Sequence, residues 1–413
     1  MYETLQSMIT GKKFTKRAFC SIIVVDIKLE MKGLRMNRRV IKIILGVFPM
    51  VLMISGCSAG GEKETEHSKE AFVTENTMGE EMTEEATIEE PTEQQLLEET
   101  TTAQQEQEVS FLFAGDICFE EDGYVLDYYD AMGQELKNCM SLYLMERMEK
   151  ADIFFLNHEY TISNRGSKLD KYYTFRADPS RMEILKEMSV DAVSLANNHI
   201  YDYGYDAFED TLNLLDQAGI RRVGAGRNAS EAEEVLYFDV KGIRIGVVAA
   251  SRAEKYVITP QAKESAPGVF WMYDSTRLNE VVAEANSKCD FLIAYLHWGT
   301  EDSPYFQNYQ HEIAESLVAN GVDAIIGGHP HVVQGMEYID NVPVLYSLGD
   351  FWFNGEDKYS MMVQLNIKKD GTCVVEIIPC RQTNYCITYI EEQEDKNKFF
   401  QYLDELSPGV HFG

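Results

Sequence analysis

Apolar and polar positions fall into two regimes along this chain. From Val109 onward, short apolar runs alternate with stretches of helical period, with turn residues between them. The pattern predicts strands at Ser110–Gly115, Asp152–Leu156, Asp191–Ala196 and Arg222–Val223. Helices are predicted between them near Ser141–Lys150, at Pro179–Met188 with a proline in the first turn, and at Tyr205–Ala218 stopped by Gly219. Val235–Val240 and Ile243–Ala250 read as a hairpin across Lys241-Gly242. Helix Thr276–Ser287, strand Phe291–Leu296, helix His311–Ala319 and strand Asp323–Ile326 continue the alternation. Pro343–Ser347, Met361–Ile367 and Cys373–Ile378 then read as strands, and Lys396–Leu406 as a closing helix. Strand–helix alternation implies an α/β domain, and the last third turns toward antiparallel β.

Upstream of Val109 no such pattern exists. Residues 1–35 read as neither a domain nor a signal. From Met36 a basic stretch (Arg38, Arg39, Lys42) precedes an apolar run from Ile43 to Ile54, which has the layout of an export signal. A helix crossing a bilayer needs roughly 20 residues, so this run is too short to span one. Its ending, Ile54-Ser55-Gly56-Cys57-Ser58, resembles a bacterial lipobox. That implies cleavage before Cys57, lipidation of its thiol and new amino terminus, and an extracytoplasmic protein anchored to the cell membrane. Residues 1–35 are then a mis-assigned start or are discarded with the signal. Residues 58–108 hold 16 Glu and 2 Lys and a single aromatic residue, Phe72. So little apolar area cannot offset chain entropy, and a disordered acidic tether is expected. The chain therefore divides into 1–57, 58–108 and a domain at 109–413.

Charge narrows the function. The whole chain carries a net charge of -31, and the domain at 109–413 alone has 25 basic and 49 acidic residues. Such a surface repels phosphate backbones and excludes a nucleic-acid binder, while it attracts metal cations. The eight cysteines contain no CxxC pair, which argues against a zinc ribbon. Cys380 and Cys386 lie close enough in sequence to leave a bridge open.

The chemistry sits where the apolar runs stop. Phe111–Ala114 ends in Gly115-Asp116, and Ile153–Leu156 in Asn157-His158-Glu159. Ala192–Ala196 ends in Asn197-Asn198-His199, Leu292–Leu296 in His297-Trp298-Gly299, and Ala324–Ile326 in Gly327-Gly328-His329-Pro330-His331. In open α/β sheets ligands bind outside the carboxyl ends of the strands, so five segments would deliver polar groups to one edge. Carboxylates, an amide and several imidazoles form a mixed O/N set that suits Mn, Fe or Zn. The surplus of ligands over one tetrahedral ion allows one or two ions, the latter bridged by a carboxylate. A histidine left over would serve as general acid. His158, His311 and His411 fall off this pattern and read as structural.

These segments carry a family resemblance. Phe113-Ala114-Gly115-Asp116-Ile117, Asn157-His158-Glu159, Ser194 to His199, His297-Trp298-Gly299, Gly328 to Gln334 and Leu345 to Phe351 resemble the CapA (PgsA-type) family of bacterial poly-γ-glutamate capsule proteins. The likeness spans roughly 109–360. It implies a four-layer α/β/β/α sandwich, metallophosphatase-like. By resemblance, Asp116 and His331 would serve a first metal, Glu159 would bridge, and Asn198, His297 and His329 would hold a second. His199 would protonate the leaving group. Two departures stand out: the Asp-x-His of metallophosphoesterases is here Asp116-Ile117-Cys118, and Asp350 replaces the family's usual Asn. Lys171 and Arg176, cations in an acidic domain, are candidate contacts to an anionic substrate, with surface ion pairs as the alternative. The implied function is a capsule-biosynthesis lipoprotein with a metal-dependent phosphoesterase-type site. It would act on an anionic polymer or phosphoester of the envelope, beside capsule synthase membrane proteins. The rival is a non-catalytic factor that anchors or helps export the polymer.

Overall fold

The computed structural model describes residues 108–412 except 255, 257 and 356. The expected leader with Cys57 and nearly all of the acidic tether lie outside these residues. Two sheets form the centre. The first runs, in spatial order, Cys386–Tyr389, Cys373–Thr383, Lys358–Lys368, Glu108–Ile117, Ile153–His158, Ala192–Ser194 and Arg221–Val223, and Asp350–Trp352 pairs beside the end of Glu108–Ile117. The second runs Met336–Ile339, Val342–Leu345, Ala324–Gly328, Phe291–Trp298, Ile243–Arg252 and Leu236–Val240. The first is antiparallel from Cys386–Tyr389 to Glu108–Ile117 and parallel from there to its Arg221–Val223 edge, and the second has a parallel centre with antiparallel margins.

Side-chain alternation explains the layering. Successive strand residues point to opposite faces. Phe111 and Phe113 enter a core shared by the two sheets, with Phe155, Val247, Tyr295 and Ile326, whereas Leu112 and Ala114 face outward. The outward face of the first sheet packs Leu144, Leu185, Phe208 and Leu212, drawn from helices Leu142–Lys150, Met182–Glu187 and Gly204–Ala218. The outward face of the second packs Leu278, Val282, Ile313 and Leu317 of helices Thr276–Asn286 and Asn308–Ala319. Three separate apolar clusters thus define four layers, α/β/β/α, as the resemblance implied. Phe111 stacks on Phe113 with ring centroids 4.6 Å apart, and Phe155 meets Tyr295 across the sheets at 5.3 Å. Burial of each such ring contributes about 1.5–3 kcal/mol.

Local departures from the predicted elements have physical causes. The hairpin turn holds Lys241 and Gly242 at φ of 50° and 75°, which matches the right-handed twist of its strands. The helix expected over 179–188 opens as a single 3₁₀ turn, Pro179–Arg181, where Asp178 accepts from the Ser180 amide at 2.9 Å. The strand expected over 191–196 stops at Ser194, because the chain turns there to aim its asparagines. Helix Tyr124–Ala131 and strands Asp350–Trp352 and Cys386–Tyr389 lack a clean apolar period and were not legible. Cys380 and Cys386 are free thiols. They pair with Tyr389 and Thr383 respectively rather than with each other.

Candidate metal centre

Parallel pairing puts the carboxyl ends of Glu108–Ile117, Ile153–His158 and Ala192–Ser194 at one edge of the first sheet. It does the same for Phe291–Trp298 and Ala324–Gly328 in the second. The two edges are joined by side chains. Asp116 accepts from the His329 backbone amide at 2.9 Å, and the His297 ring meets Asn198 Oδ1 at 2.8 Å through Nε2. Asn157, on the strand end between them, donates to Asp116 at 2.8 Å and to Glu159 at 3.1 Å. Its own oxygen accepts from Asn197 at 3.1 Å. All five predicted strand ends therefore meet, and Asp116, Glu159, Asn198, His199, His297, His329 and His331 share one site. His329 and His331 both adopt positive φ, 96° and 59°, a strained backbone held by the surrounding sheet edge.

Glu159 is the hub. Its Oε1 is buried and has no hydrogen-bond partner. It is faced by Nε2 of His297 at 3.5 Å, of His331 at 3.9 Å and of His199 at 4.0 Å. Two of those rings are held the same way. His199 Nδ1 contacts Asp202 at 2.6 Å, and Asp202 pairs with Lys171 at 2.8 Å. His331 Nδ1 contacts Asp350 at 2.7 Å, and Asp350 pairs with Lys358 at 3.0 Å. A carboxylate on Nδ1 holds each ring and turns its Nε2 toward the hub. Each carboxylate is balanced by its lysine.

The electrostatics fit a cation. Burial raises Asp116 to about 6, helped by Glu159, and raises Glu159 to about 7. Burial lowers His297 to about 4 and holds His329 well below the usual histidine range, with His297 adding to it. Burial also opposes the charged ring of His331, but Asp350, Glu159 and Asp116 outweigh it and push His331 to about 10. Burial thus disfavours the charged forms of both carboxyl groups and of two imidazoles, and a cation would favour the deprotonated ligands. Three sets of ligand atoms lie mutually within 4.8 Å: Glu159–His329–His331, Asp116–Glu159–His297 and Asp116–His331–Asp350. Together with the unpartnered Glu159 Oε1 and His329 Nδ1, they fit a divalent cation with mixed O/N preference. His297 and Asn198, in hydrogen-bond contact at 2.8 Å, would be among the residues to hold it.

The departures resolve differently. Cys118 lies in the outer apolar cluster with Phe119 and Tyr160, and burial raises its thiol well above the usual range, so it supplies no ligand. Asp350 brings a carboxylate to the rim of the site and orients His331. His158 is buried against Tyr160, with centroids 3.9 Å apart, and His311 pairs with Glu337 at 2.6 Å; both are structural. Asp202, Lys358, Asn157 and Asn197 make contacts at the centre that sequence reading missed, and Arg252 lies beside it. Asp202 follows His199 by three residues, and Ser251-Arg252 follows the apolar run 243–250. The strand-end criterion applied once more would have found Arg252.

A cavity of about 770 Å³ opens beside the centre, lined by Asn198, His199, His329, Lys171, Arg252 and several tyrosines. Lys171 is nearly buried and committed to Asp202, to Glu254 at 3.2 Å and to the Asn198 carbonyl. Arg176 lies outside the cavity lining. It stacks on Tyr203 at 4.1 Å and donates to the Arg165 carbonyl at 3.2 Å.

Carboxylates, amides and imidazoles are thus gathered at the strand ends of a four-layer α/β/β/α sandwich. Residues 110–355 match the model of the family described as bacterial capsule synthesis protein PGA_cap, and the chain belongs to that family. The capsule biosynthesis protein CapA of Bacillus anthracis is 28% identical over 290 residues, 66% of this chain and 70% of that protein. The PGA biosynthesis protein CapA of Bacillus subtilis is 29% identical over 223 residues, 53% of this chain and 58% of that protein. The solved structure titled a novel phosphatase, from Mycoplasma pneumoniae, is similar over 72% of this chain and 99% of its own, at 14% identity and a TM-score of 0.42. A likeness that slight carries no argument about activity.

Proposed function

We propose that this protein is a metal-dependent phosphoesterase-type hydrolase of capsule, specifically poly-γ-glutamate, biosynthesis. It would act on envelope material and be held outside the cytoplasm by lipid on Cys57. The observation that carries the chemistry is Glu159 Oε1, buried, unpartnered and faced by three imidazole nitrogens. Asp116, Glu159, Asn198, His297, His329 and His331 would hold one or two ions of Mn, Fe or Zn. A bound ion there polarises a phosphoryl oxygen and lowers the pKa of water. The remaining work falls to the chain. His199, fixed by Asp202 and open to the cavity, presents Nε2 to donate a proton to the departing oxygen. Asp202, paired with Lys171 at 2.8 Å, orients the ring through Nδ1.

Metal content and hydrolysis of bis(p-nitrophenyl) phosphate by the full chain test this reading. Asn198→Ala and His329→Ala are expected to lose both; full activity of the two variants in metal-free buffer would end it. A second reading, a non-catalytic factor that anchors or exports the polymer beside capsule synthase, draws support from Cys118, whose core position leaves the first-metal ligand set short of a histidine. Capsule retention by a His199→Ala strain would favour it. Among the described residues no helix is long and apolar enough to cross a membrane.

A further inference from the structure

The cavity beside the centre has an asymmetric set of charges. Of the two cations that line it, Lys171 is consumed by Asp202 and Glu254. Arg252 is not: among the described residues no carboxylate pairs with it, and its guanidinium lies 4.0 Å over the ring of Tyr309. That ring is itself fixed, because the Tyr309 hydroxyl accepts from the Gly299 amide at 2.8 Å. Arg252 is the last residue of strand Ile243–Arg252 and pairs in register with Trp298, next to His297. It is therefore a sixth strand end on the metal-bearing edge. In a domain with 49 acidic and 25 basic residues, an arginine without a carboxylate partner, its guanidinium 4.0 Å over an aromatic ring, is a prepared fork for a planar oxyanion. The exposed rings of Tyr172, Tyr173 and Tyr256 border the same cavity and offer apolar faces to the aliphatic part of a chain.

We infer that Arg252, seated on Tyr309, is the specificity residue that grips a side carboxylate of a polymeric substrate in the Tyr-lined cavity while the metal-type centre addresses the chain beside it. This deepens the capsule-polymer reading and rests on it for the polymer. It also reassigns the substrate contact from Lys171 and Arg176 to a residue with a free fork.

The test is calorimetric binding of a γ-linked glutamate hexamer to the full chain, in wild-type, Arg252→Gln and Arg252→Lys forms, each loaded with manganese and assayed for metal per chain. Loss of a charge-assisted, bidentate contact should weaken hexamer binding by about tenfold or more in Arg252→Gln. Lysine should restore only part of it, because it lacks the planar fork, and metal content should be unchanged. Hexamer affinity within twofold of wild type in Arg252→Gln overturns the inference. So does a loss confined to inorganic phosphate, run as a competing probe, since that would make the fork a phosphate site. The two readings fail separately: hexamer binding that depends on Arg252 without phosphodiester turnover defeats hydrolysis alone, and turnover with Arg252-independent binding defeats this assignment alone.

Discussion

At the scale of single residues, the histidines of this chain do different work for reasons that lie in what touches them. His199 is useful because Asp202 holds Nδ1 at 2.6 Å while also accepting from the Phe175 amide at 2.8 Å. Asp202→Asn keeps the shape and loses the charge. We expect kcat for a phosphodiester to fall about 10–100-fold with KM held within twofold; a change in KM alone would make Asp202 a substrate contact instead. His158 has the opposite character. It is fully buried, neither ring nitrogen has a hydrogen-bond partner, and burial lowers it to about 3. A histidine with a depressed folded pKa binds its proton more readily when unfolded. Stability is therefore intact above pH 6.5, the unfolded value, and is lost as pH falls toward 3, at about 1.4 kcal/mol per pH unit for the group. In His158→Phe the acid slope of urea-unfolding free energy should be shallower; an unchanged slope would show that the other buried histidines set it.

At the scale of elements, the site depends on how closely strand ends approach. Gly328 is the last residue of its strand, and a Cβ there would meet Asp116 Oδ1 at 2.6 Å and the Tyr295 hydroxyl at 3.1 Å. Gly328→Ala should push Asp116 aside and weaken manganese binding about tenfold or more while far-ultraviolet circular dichroism stays native. Wild-type affinity would mean that Asp116 is not a ligand. Strand ends were also what sequence made visible. Asp116, Asn198, His297, His329 and His331 each follow an apolar run, and a run's end needs no tertiary knowledge. The partners Asp350 and Lys358 were hidden in their roles, because a short strand and a hairpin margin bring them to His331 from later in the chain. Arg176 misled because charge in an acidic domain says nothing about direction; it turned to Tyr203, away from the cavity. The α/β class was legible from alternation and the four layers only through the family resemblance, whereas the order of strands within each sheet was not legible, since pairing is a long-range outcome.

At the scale of the whole molecule, the centre is where two sheets with separate outer cores meet. Their shared interior is apolar, yet its edge gathers buried carboxylates and imidazoles, which are costly to leave without a counter-ion. A bound cation should therefore stabilise the fold as a whole. At a hundredfold excess of free manganese over Kd the gain is about 2.7 kcal/mol. Chelation should lower Tm by several degrees, and manganese should restore it. An unmoved Tm in both directions would show that the cluster does not hold that ion.

The amide of His329 reaches Asp116 across 213 residues of sequence, so time enters the design. A polypeptide halted before that histidine already carries Asp116, Glu159, Asn198, His199 and His297, yet lacks His329, His331 and Asp350, so two of the three ligand sets are incomplete. The full ligand array therefore forms only after the segment through Asp350 has been made and has docked against Asp116 and Glu159.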